Sequence, residues 1–196
     1  MNIVQLKDVA TVLYGEIPSR LITRYGKGIS FYDQSSFEED MNYIKKQTIK
    51  TIYNEEIIDE GDSIRNLLHN EGDLIISNSS EKAVVGSPLN VGKVYTLNFA
   101  KISLDLSKVY PDYFIYVFNE SSSIKRQLEK NRQGSSGIKR LTLRNLENLE
   151  IPVRDAETHQ KIGQAYKELL ELEKNLEEYK SGMKIVVKSL LEKEIN

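Results

Sequence analysis

The sequence contains no cysteine and no tryptophan, and it has only two histidines and four prolines among its 196 residues. Without cysteine, disulfides, thiolate zinc sites and cysteine nucleophiles are excluded, and an intracellular location is expected. No apolar run approaches the ~18 residues that suggest a membrane-spanning helix. The N-terminal residues lack a basic stretch followed by an apolar core, so no signal peptide is expected. We therefore expect a cytoplasmic protein that is not inserted in a membrane.

Motifs that carry covalent chemistry are equally scarce. Residues 86–93 resemble a phosphate loop, but one residue too many separates the glycines, and Val94 stands where magnesium binding requires Ser or Thr. Residues 134–137 do not match a nucleophile elbow. His69 in a polar turn and His159 near a helix start are expected to face solvent or to cap. The sequence therefore predicts no catalytic site, no metal site and no cofactor.

Charge is unevenly distributed along a chain whose net charge is only −2. Residues 125–144 hold seven basic residues and a single acidic one, and a smaller basic excess follows residue 16. Exposed lysines and arginines are commonly just a solvated surface. Phosphate binding, however, needs only a local basic face, and the adjoining Gly-Ser loop exposes backbone donors to anions. Both interpretations of the basic cluster remain open on composition alone.

Hydrophobic patterning predicts a mixed α+β domain over residues 1–153, with strands and helices interspersed. Residues 3–14 are predicted to form a short entry element and a strand that ends at Gly15. The other strand predictions are 43–58, the hairpin 74–77 and 83–86, 94–106 with a bulge near 100–101, and a strand that ends at Pro152. One helix is predicted over residues 113–131, with Pro111 tolerated at its first turn. Residues 16–40 are polar and glycine-bearing, so they are expected to form a long functional loop.

The last forty residues carry the strongest pattern in the sequence. Every seventh residue from Ile162 to Leu190, together with the residue three positions after each, forms a stripe of ten positions that we call the seam. Nine of these ten residues are apolar, which is typical of a helix that packs lengthwise against another helix. Over residues 154–196 such a helix is roughly 60 Å long, longer than its own domain, so most of the seam needs an outside partner. Asp155 is placed to cap it, and Gly182 is a point where it could bend or end. The predicted interface is Ile162, Leu169, Leu172, Leu176, Tyr179, Met183, Val186 and Leu190.

Several separated stretches resemble the specificity subunits of type I restriction-modification systems. The resemblance rests on residues 4–10 with Gly15, on 72–77 with Gly86, and on a closing block. That block comprises residues 113–116, Gly134, Gly137, Leu143, Leu146, Leu149, 151–153, Gln160, Ile162 and the long helix. The chain departs from the family in having one domain and one helix, and only Pro152 and Gln160 match the family's Pro-Pro-Leu-x-x-Gln form.

The resemblance implies a DNA target recognition domain over residues 1–153, with a twisted β-sheet and packed helices, followed by a coiled-coil spacer helix. In the family two such helices pair antiparallel, each domain reads half of a split site in double-stranded DNA, and the subunit docks methyltransferase and restriction subunits. A chain with one domain is then a half subunit that forms a homodimer through its C-terminal helix. It is expected to be a non-catalytic component.

The candidate DNA-binding residues follow from the basic and polar loops. Basic residues at 125–144 are expected to hold phosphates, while loop side chains reach base edges. The candidates are Tyr14, Arg20, Arg24, Tyr25, Lys27, Ser77, Asn78, Ser79, Lys82, Lys125, Lys130, Arg132, Ser135, Ser136, Lys139 and Arg140.

Two other functions compete with DNA reading. The chain could pair with specificity or methyltransferase subunits as a non-catalytic regulator or decoy that does not read DNA itself. It could also be an enzyme, but the sequence has neither the Asn/Asp-Pro-Pro-aromatic motif of amino-methyltransferases nor the carboxylate-lysine core of a nuclease. The enzyme alternative is therefore disfavoured.

Overall fold

The computed structural model describes residues 2–25, 30–44, 68–132 and 141–195, except for the side chains of residues 23–25, 44, 131 and 132. Within these ranges the protein is a mixed α+β fold that ends in one long helix. The helices are α1 Pro18–Tyr25, α2 Gln34–Ile44, α3 Pro111–Glu120, α4 Ser122–Arg132, α5 Leu143–Glu147 and α6 Ala156–Ile195. The strands are β1 Asn2–Gln5, β2 Ala10–Tyr14, β3 Phe31–Tyr32, β4 Leu74–Ser77, β5 Lys82–Val85, β6 Val94–Tyr95, β7 Phe99–Leu104 and β8 Glu150–Val153.

The main sheet has four antiparallel strands in the order β2-β7-β4-β5. Strand β4 pairs with β5 across a tight turn, which confirms the predicted hairpin, and with β7 on its other side. Two short pairs complete the strands, β3 parallel to β6 and β1 antiparallel to β8. The β1–β8 pair places Asn2 opposite Val153, so the first strand lies beside the entry to α6.

Strand β4 is buried on both faces, which explains its unbroken apolar run. Leu74 and Ile76 lie in the main core with residues of α3 and α4. Ile75, between them, lies in a second cluster with Phe37 of α2. The sheet is therefore covered by α3 and α4 on one face and by α2 on the other.

The helix predicted over residues 113–131 is broken in two at Ser121, whose backbone is extended. Near this break, the side chain of Asn119 accepts a hydrogen bond from the Ala83 N–H at 2.7 Å and donates to the Ala83 carbonyl at 2.9 Å. These two bonds satisfy the backbone of the edge strand β5 and fix the end of α3 against it.

Residues 16–40 were predicted as a loop, and that prediction is wrong, because they contain α1, β3 and most of α2. Asp33 accepts hydrogen bonds from the Ser36 N–H and hydroxyl, both at 2.9 Å, as a capping residue does. The predicted strand 43–58 is wrong at 43–44, which end α2, and its other residues lie outside the described ranges. Strand β7 pairs regularly through 100–101, so the predicted bulge is also wrong.

His69 is fully buried, which contradicts the solvent-facing or capping role predicted for it. Its Nε2 lies 2.9 Å from the carbonyl oxygen of Ser87, its Nδ1 lies 2.8 Å from the hydroxyl of Tyr95, and its ring stacks on Tyr32. A carbonyl oxygen only accepts, so Nε2 carries a hydrogen. All three partners are distant in sequence, so the local polar turn gave no sign of this burial.

Asp40 of α2 is also fully buried and lies in the same polar cluster. It accepts hydrogen bonds from the Tyr32 hydroxyl at 2.5 Å, the Ser87 hydroxyl at 2.6 Å and the Asn90 amide at 2.8 Å. A buried carboxylate requires such donors to replace its hydration. Burial, reinforced by Asp40, raises the pKa of Tyr32, so its hydroxyl remains a donor. The cluster thereby joins α2 to β3 and to the turn after β5.

Helix α6 begins on the domain and then leaves it. Asp155 caps it, accepting from the Thr158 N–H at 2.8 Å. The buried side of its first turns comprises His159, Gly163 and Tyr166, which lie against α3. Beyond Leu170 nearly every side chain of α6 is exposed, and the helix continues through Gly182 to Ile195. No helix in the described ranges has the length and apolarity to traverse a bilayer.

The two glycines of α6 provide a matched test of this arrangement. An added Cβ at Gly163 would lie 2.7 Å from the Cβ of Asp112, whereas one at Gly182 would meet nothing within 4 Å. We expect Gly163→Ala to lower the free energy of unfolding by about 1–3 kcal/mol through overpacking. We expect Gly182→Ala to stabilise the helix by about 1 kcal/mol. Urea unfolding followed by circular dichroism measures both, and a Gly163→Ala protein as stable as the wild type would contradict the close packing of α6 on α3.

Candidate nucleic-acid interface

At one end of the main sheet, the end of β2 and the tip of the β4–β5 hairpin lie beside Leu141. The hydroxyl of Tyr14, at the end of β2, lies 2.8 Å from the carbonyl oxygen of Leu141 and 3.2 Å from Oδ1 of Asn78. Asn78 lies at the tip of the β4–β5 hairpin, and Leu141 is the first described residue after 133–140. Burial raises the pKa of Tyr14, so the hydroxyl keeps its proton and donates. Tyr14 therefore holds the hairpin tip beside Leu141.

Asn78 is 5% exposed, and its polar atoms are engaged within the fold. Its amide donates to the Leu97 carbonyl at 2.9 Å, while its Oδ1 accepts from Tyr14. Reading adenine with asparagine requires both the amide NH₂ and the carbonyl to face a base edge. As placed, Asn78 shapes the hairpin tip and does not present its amide to a ligand.

The exposed side of the tip carries a small hydroxyl and amide group. The hydroxyls of Ser77 and Ser79 lie 3.1 Å apart, and Ser79 donates to Oε1 of Gln34 at 3.2 Å. Ser77 is buried, whereas Ser79 and Gln34 are exposed. These bonds connect the start of α2 to the hairpin tip, so Gln34 joins a candidate site in which the sequence had not placed it.

Two of the predicted lysines share one carboxylate. Lys82 lies 3.3 Å from Oε1 of Glu120, and Lys125 lies 3.2 Å from Oε2 of the same residue. Burial alone would raise the pKa of Glu120, but the hydrogen bonds from Lys125 and Lys82 outweigh it and lower that pKa below its ordinary value. Lys82 also donates to the Asn119 carbonyl at 3.1 Å. Both lysines are thus oriented by the end of α3.

The remaining candidates fall into three groups. Arg20 on α1 and Lys130 on α4 are exposed. The backbones of Arg24 and Tyr25 belong to α1 and that of Arg132 to α4, but their side chains are not described. Outside the described residues lie Lys27, Ser135, Ser136, Lys139 and Arg140.

Gln34 could have been found from the sequence by a capping signal. Asp33 precedes a run in which Phe37, Met41 and Ile44 recur at spacings of four and three, which is a helical period. That pattern places residue 34 in the first turn of a helix and not in a loop.

A sheet that gathers loops at one end, joined to a long helix whose apolar stripe is exposed, defines a recognition module. The family model described as "Type I restriction modification DNA specificity domain" matches residues 1–180. No curated protein gives a significant match. The chain therefore belongs to the type I restriction-modification DNA specificity family, the non-catalytic DNA-recognition component of these systems.

Solved structures share the fold at low sequence identity. A chain from a structure on the complex assembly and conformational transition of the type I R-M system is 16% identical, with a TM-score of 0.60 over 96% of this chain and 43% of that one. The HsdS subunit of Thermoanaerobacter tengcongensis is 18% identical, with a TM-score of 0.51 and coverages of 88% and 37%. The S subunit from M. genitalium is 13% identical, with a TM-score of 0.50 and coverages of 95% and 42%. The chain thus spans less than half the length of these structures.

The hydroxyl of Tyr14 can be tested by Tyr14→Phe, which keeps the ring and removes the bonds to Leu141 and Asn78. We expect the free energy of unfolding to fall by about 0.5–1.5 kcal/mol, the usual contribution of such a hydrogen bond. Chemical denaturation measures the change. Tyr43→Phe is the matched control, because Tyr43 is partly exposed near the end of α2 and should tolerate the change. Equal effects of the two substitutions would contradict a joining role for Tyr14.

Proposed function

We propose that this chain is a DNA-reading half subunit of a type I restriction-modification system, and that two copies pair through α6 to recognise a bipartite site. The observation that carries the proposal is the exposed seam on a helix of 40 residues. Its residues from Leu169 to Leu190 are 47–68% exposed in the single chain. Burying each against a partner would contribute roughly 1 kcal/mol, which favours association.

The faces of α6 support a partner outside the chain. Its buried residues His159, Gly163 and Tyr166 lie on the side that packs on α3, whereas the seam turns away from it. Ile162 is the seam position nearest the domain, and it is partly buried against the chain's own core. The proposed interface therefore runs mainly from Leu169 to Leu190, with residues 1–153 as the recognition domain and 154–196 as the spacer.

Pairing of two copies through α6 would relate their two recognition domains by a two-fold axis. Two identical domains on a two-fold axis address inverted copies of one half-site, as other two-fold DNA-binding proteins do. The proposed target is thus a symmetric sequence with an unread central gap in double-stranded DNA.

The geometry suggests different roles for the candidate DNA-binding residues. Lys125 and Lys130 would contact phosphates, which sets register without reading sequence. Arg20, Ser79 and Gln34 are exposed and would reach base edges, together with candidates that lie outside the described residues. Tyr14, Ser77 and Asn78 would support the loops through their internal hydrogen bonds.

The pair would act in the cytoplasm by directing methyltransferase and restriction subunits to the recognised site. A non-catalytic regulator is the second candidate, because the same exposed seam could capture another specificity subunit or a methyltransferase without DNA reading. The two functions differ in whether the chain itself selects a DNA sequence.

Selection from random double-stranded DNA, with and without candidate methyltransferase subunits, tests the proposed function. We expect an enriched motif composed of two inverted half-sites at a fixed separation. Recovery of the methyltransferase in a pull-down with no enriched motif would favour the regulator. A motif with a single half-site would retain DNA reading and contradict the symmetric pair.

Phosphate binding by α4 can be tested separately through Lys130→Ala. Each phosphate contact adds about one to the slope of log affinity against log salt. We therefore expect this variant to bind all DNA sequences several-fold more weakly and to reduce that slope by about one. Fluorescence anisotropy at several salt concentrations measures both quantities. Lys188→Ala, an exposed lysine of α6 far along the helix, is the control, and an unchanged slope for Lys130→Ala would remove Lys130 from the interface.

A further inference from the structure

The residue that follows each of four seam positions forms a second row along α6. These residues are Tyr166, Glu173, Lys180 and Val187, at the positions after 165, 172, 179 and 186. We call this row the flank. Tyr166 packs on Tyr116 of α3 with ring centroids 5.4 Å apart, so the flank lies on the side of α6 that faces the chain's own domain.

Residues beside the seam of a paired helix decide the orientation and register of the pair through their charges. In an antiparallel pair the flanks of the two helices lie next to each other. If Leu176 packs against Tyr179 of the second copy, Glu173 lies beside Lys180 of that copy, and the two-fold axis repeats the contact. Ala165 then faces Leu190, a small residue against a large one.

The other arrangements bring like charges together. A shift of one heptad in one direction places Glu173 beside Glu173 of the second copy. A shift in the other direction places Lys180 beside Lys180 of the second copy. A parallel pair sets Glu168, on the opposite side of the seam, beside Glu173. Like charges in such positions are unfavourable and select against these pairings. Charge therefore favours a single antiparallel register.

The last third of α6 is more apolar than pairing along the seam requires. Val187 and Leu191 lie outside the seam and are 47% and 58% exposed. In the favoured register Val187 lies beside Tyr166 of the other copy, next to α3. The extra apolar residues thus fall on the flank where the other copy's domain offers aromatic rings.

We propose that a second copy of this chain binds antiparallel in this register, and that its Val187 and Leu191 rest on Tyr166 and Tyr116 of the first. The inference rests on the proposed homodimer and adds its register and a contact between each helix end and the opposite domain. That contact ties the position of one domain to the helix of the other, which fixes the distance between the two domains.

The register can be read by disulfide formation, because the natural chain has no cysteine. We expect the double variant L172C/M183C to form covalent dimers on a non-reducing gel. L172C alone should not, because its two copies would lie roughly 16 Å apart along the helices, beyond disulfide reach. L172C/L190C, the control, cross-links only after a shift of one heptad, because in the favoured register its two cysteines lie roughly 10 Å apart along the helices. Efficient cross-linking of L172C alone would indicate parallel helices, and cross-linking of the control would indicate the shifted register; either result overturns the proposal.

The contact with the opposite domain is tested by a matched pair of substitutions two residues apart. Ile185 is 70% exposed and lies on the side of α6 away from both seam and flank. We expect Val187→Glu to raise the dimer dissociation constant roughly tenfold or more, as loss of a central apolar contact does. Ile185→Glu should leave it unchanged, as measured by analytical ultracentrifugation. Equal effects would overturn the contact.

Ultracentrifugation of the wild-type protein separates failure of this inference from failure of the homodimer. A wild-type monomer at micromolar concentration would contradict the pairing itself and the inference with it. A stable wild-type dimer without the expected cross-link would retain the pairing and contradict only the register.

Discussion

The structure depends on a mismatch between the length of α6 and the size of the domain that supports it. Only the first four turns of this helix lie against α3, and the ion pair of Lys167 with Asp112 at 2.6 Å comes at the edge of that contact. The remaining turns receive no support from the described part of the chain, yet they carry the most regular apolar pattern in the sequence. Most helical stability in proteins comes from the packing of an apolar face. A partner that covered the apolar stripe would therefore stabilise the free part of α6.

The candidate interface is built on a separation between polar groups that hold the fold and polar groups that face outward. Asp40, His69 and Asn78 are buried and hydrogen-bonded within the fold, while Ser79, next to Asn78, and Gln34 are exposed. A rigid foundation limits the entropy lost when exposed side chains bind a ligand. It also allows the exposed residues to be exchanged without disturbing the core.

Local sequence patterns predicted those parts of the fold that are determined locally. The β4–β5 hairpin follows from an apolar run, a polar turn and a second run, and α6 follows from its heptads and the Asp155 cap. One failure was local, because the Asp33 cap and the helical period after it mark the start of α2. Two others involve contacts between residues far apart in the chain. Asn119 at the end of α3 binds Ala83, and His69 is buried against Ser87 and Tyr95; neither set of partners can be identified from neighbouring residues. At the candidate site, sequence patterns predicted that the hairpin tip takes part. They did not predict that Asn78 is buried and supports the tip, whereas Ser79 is exposed.

In the proposed dimer, the register of the paired α6 helices would set the spacing between the two half-sites in the DNA. A shift of the helices by one heptad would move the domains by about 10 Å along the helix axis. Because each base pair of B-DNA advances about 3.4 Å, that shift corresponds to roughly three base pairs of gap. Hydrophobic contact alone tolerates such a shift, since the seam repeats every seven residues. Glu173, Lys180 and Val187 break that repeat, so the side chains that specify the pairing of two proteins would also specify the length of DNA between two half-sites.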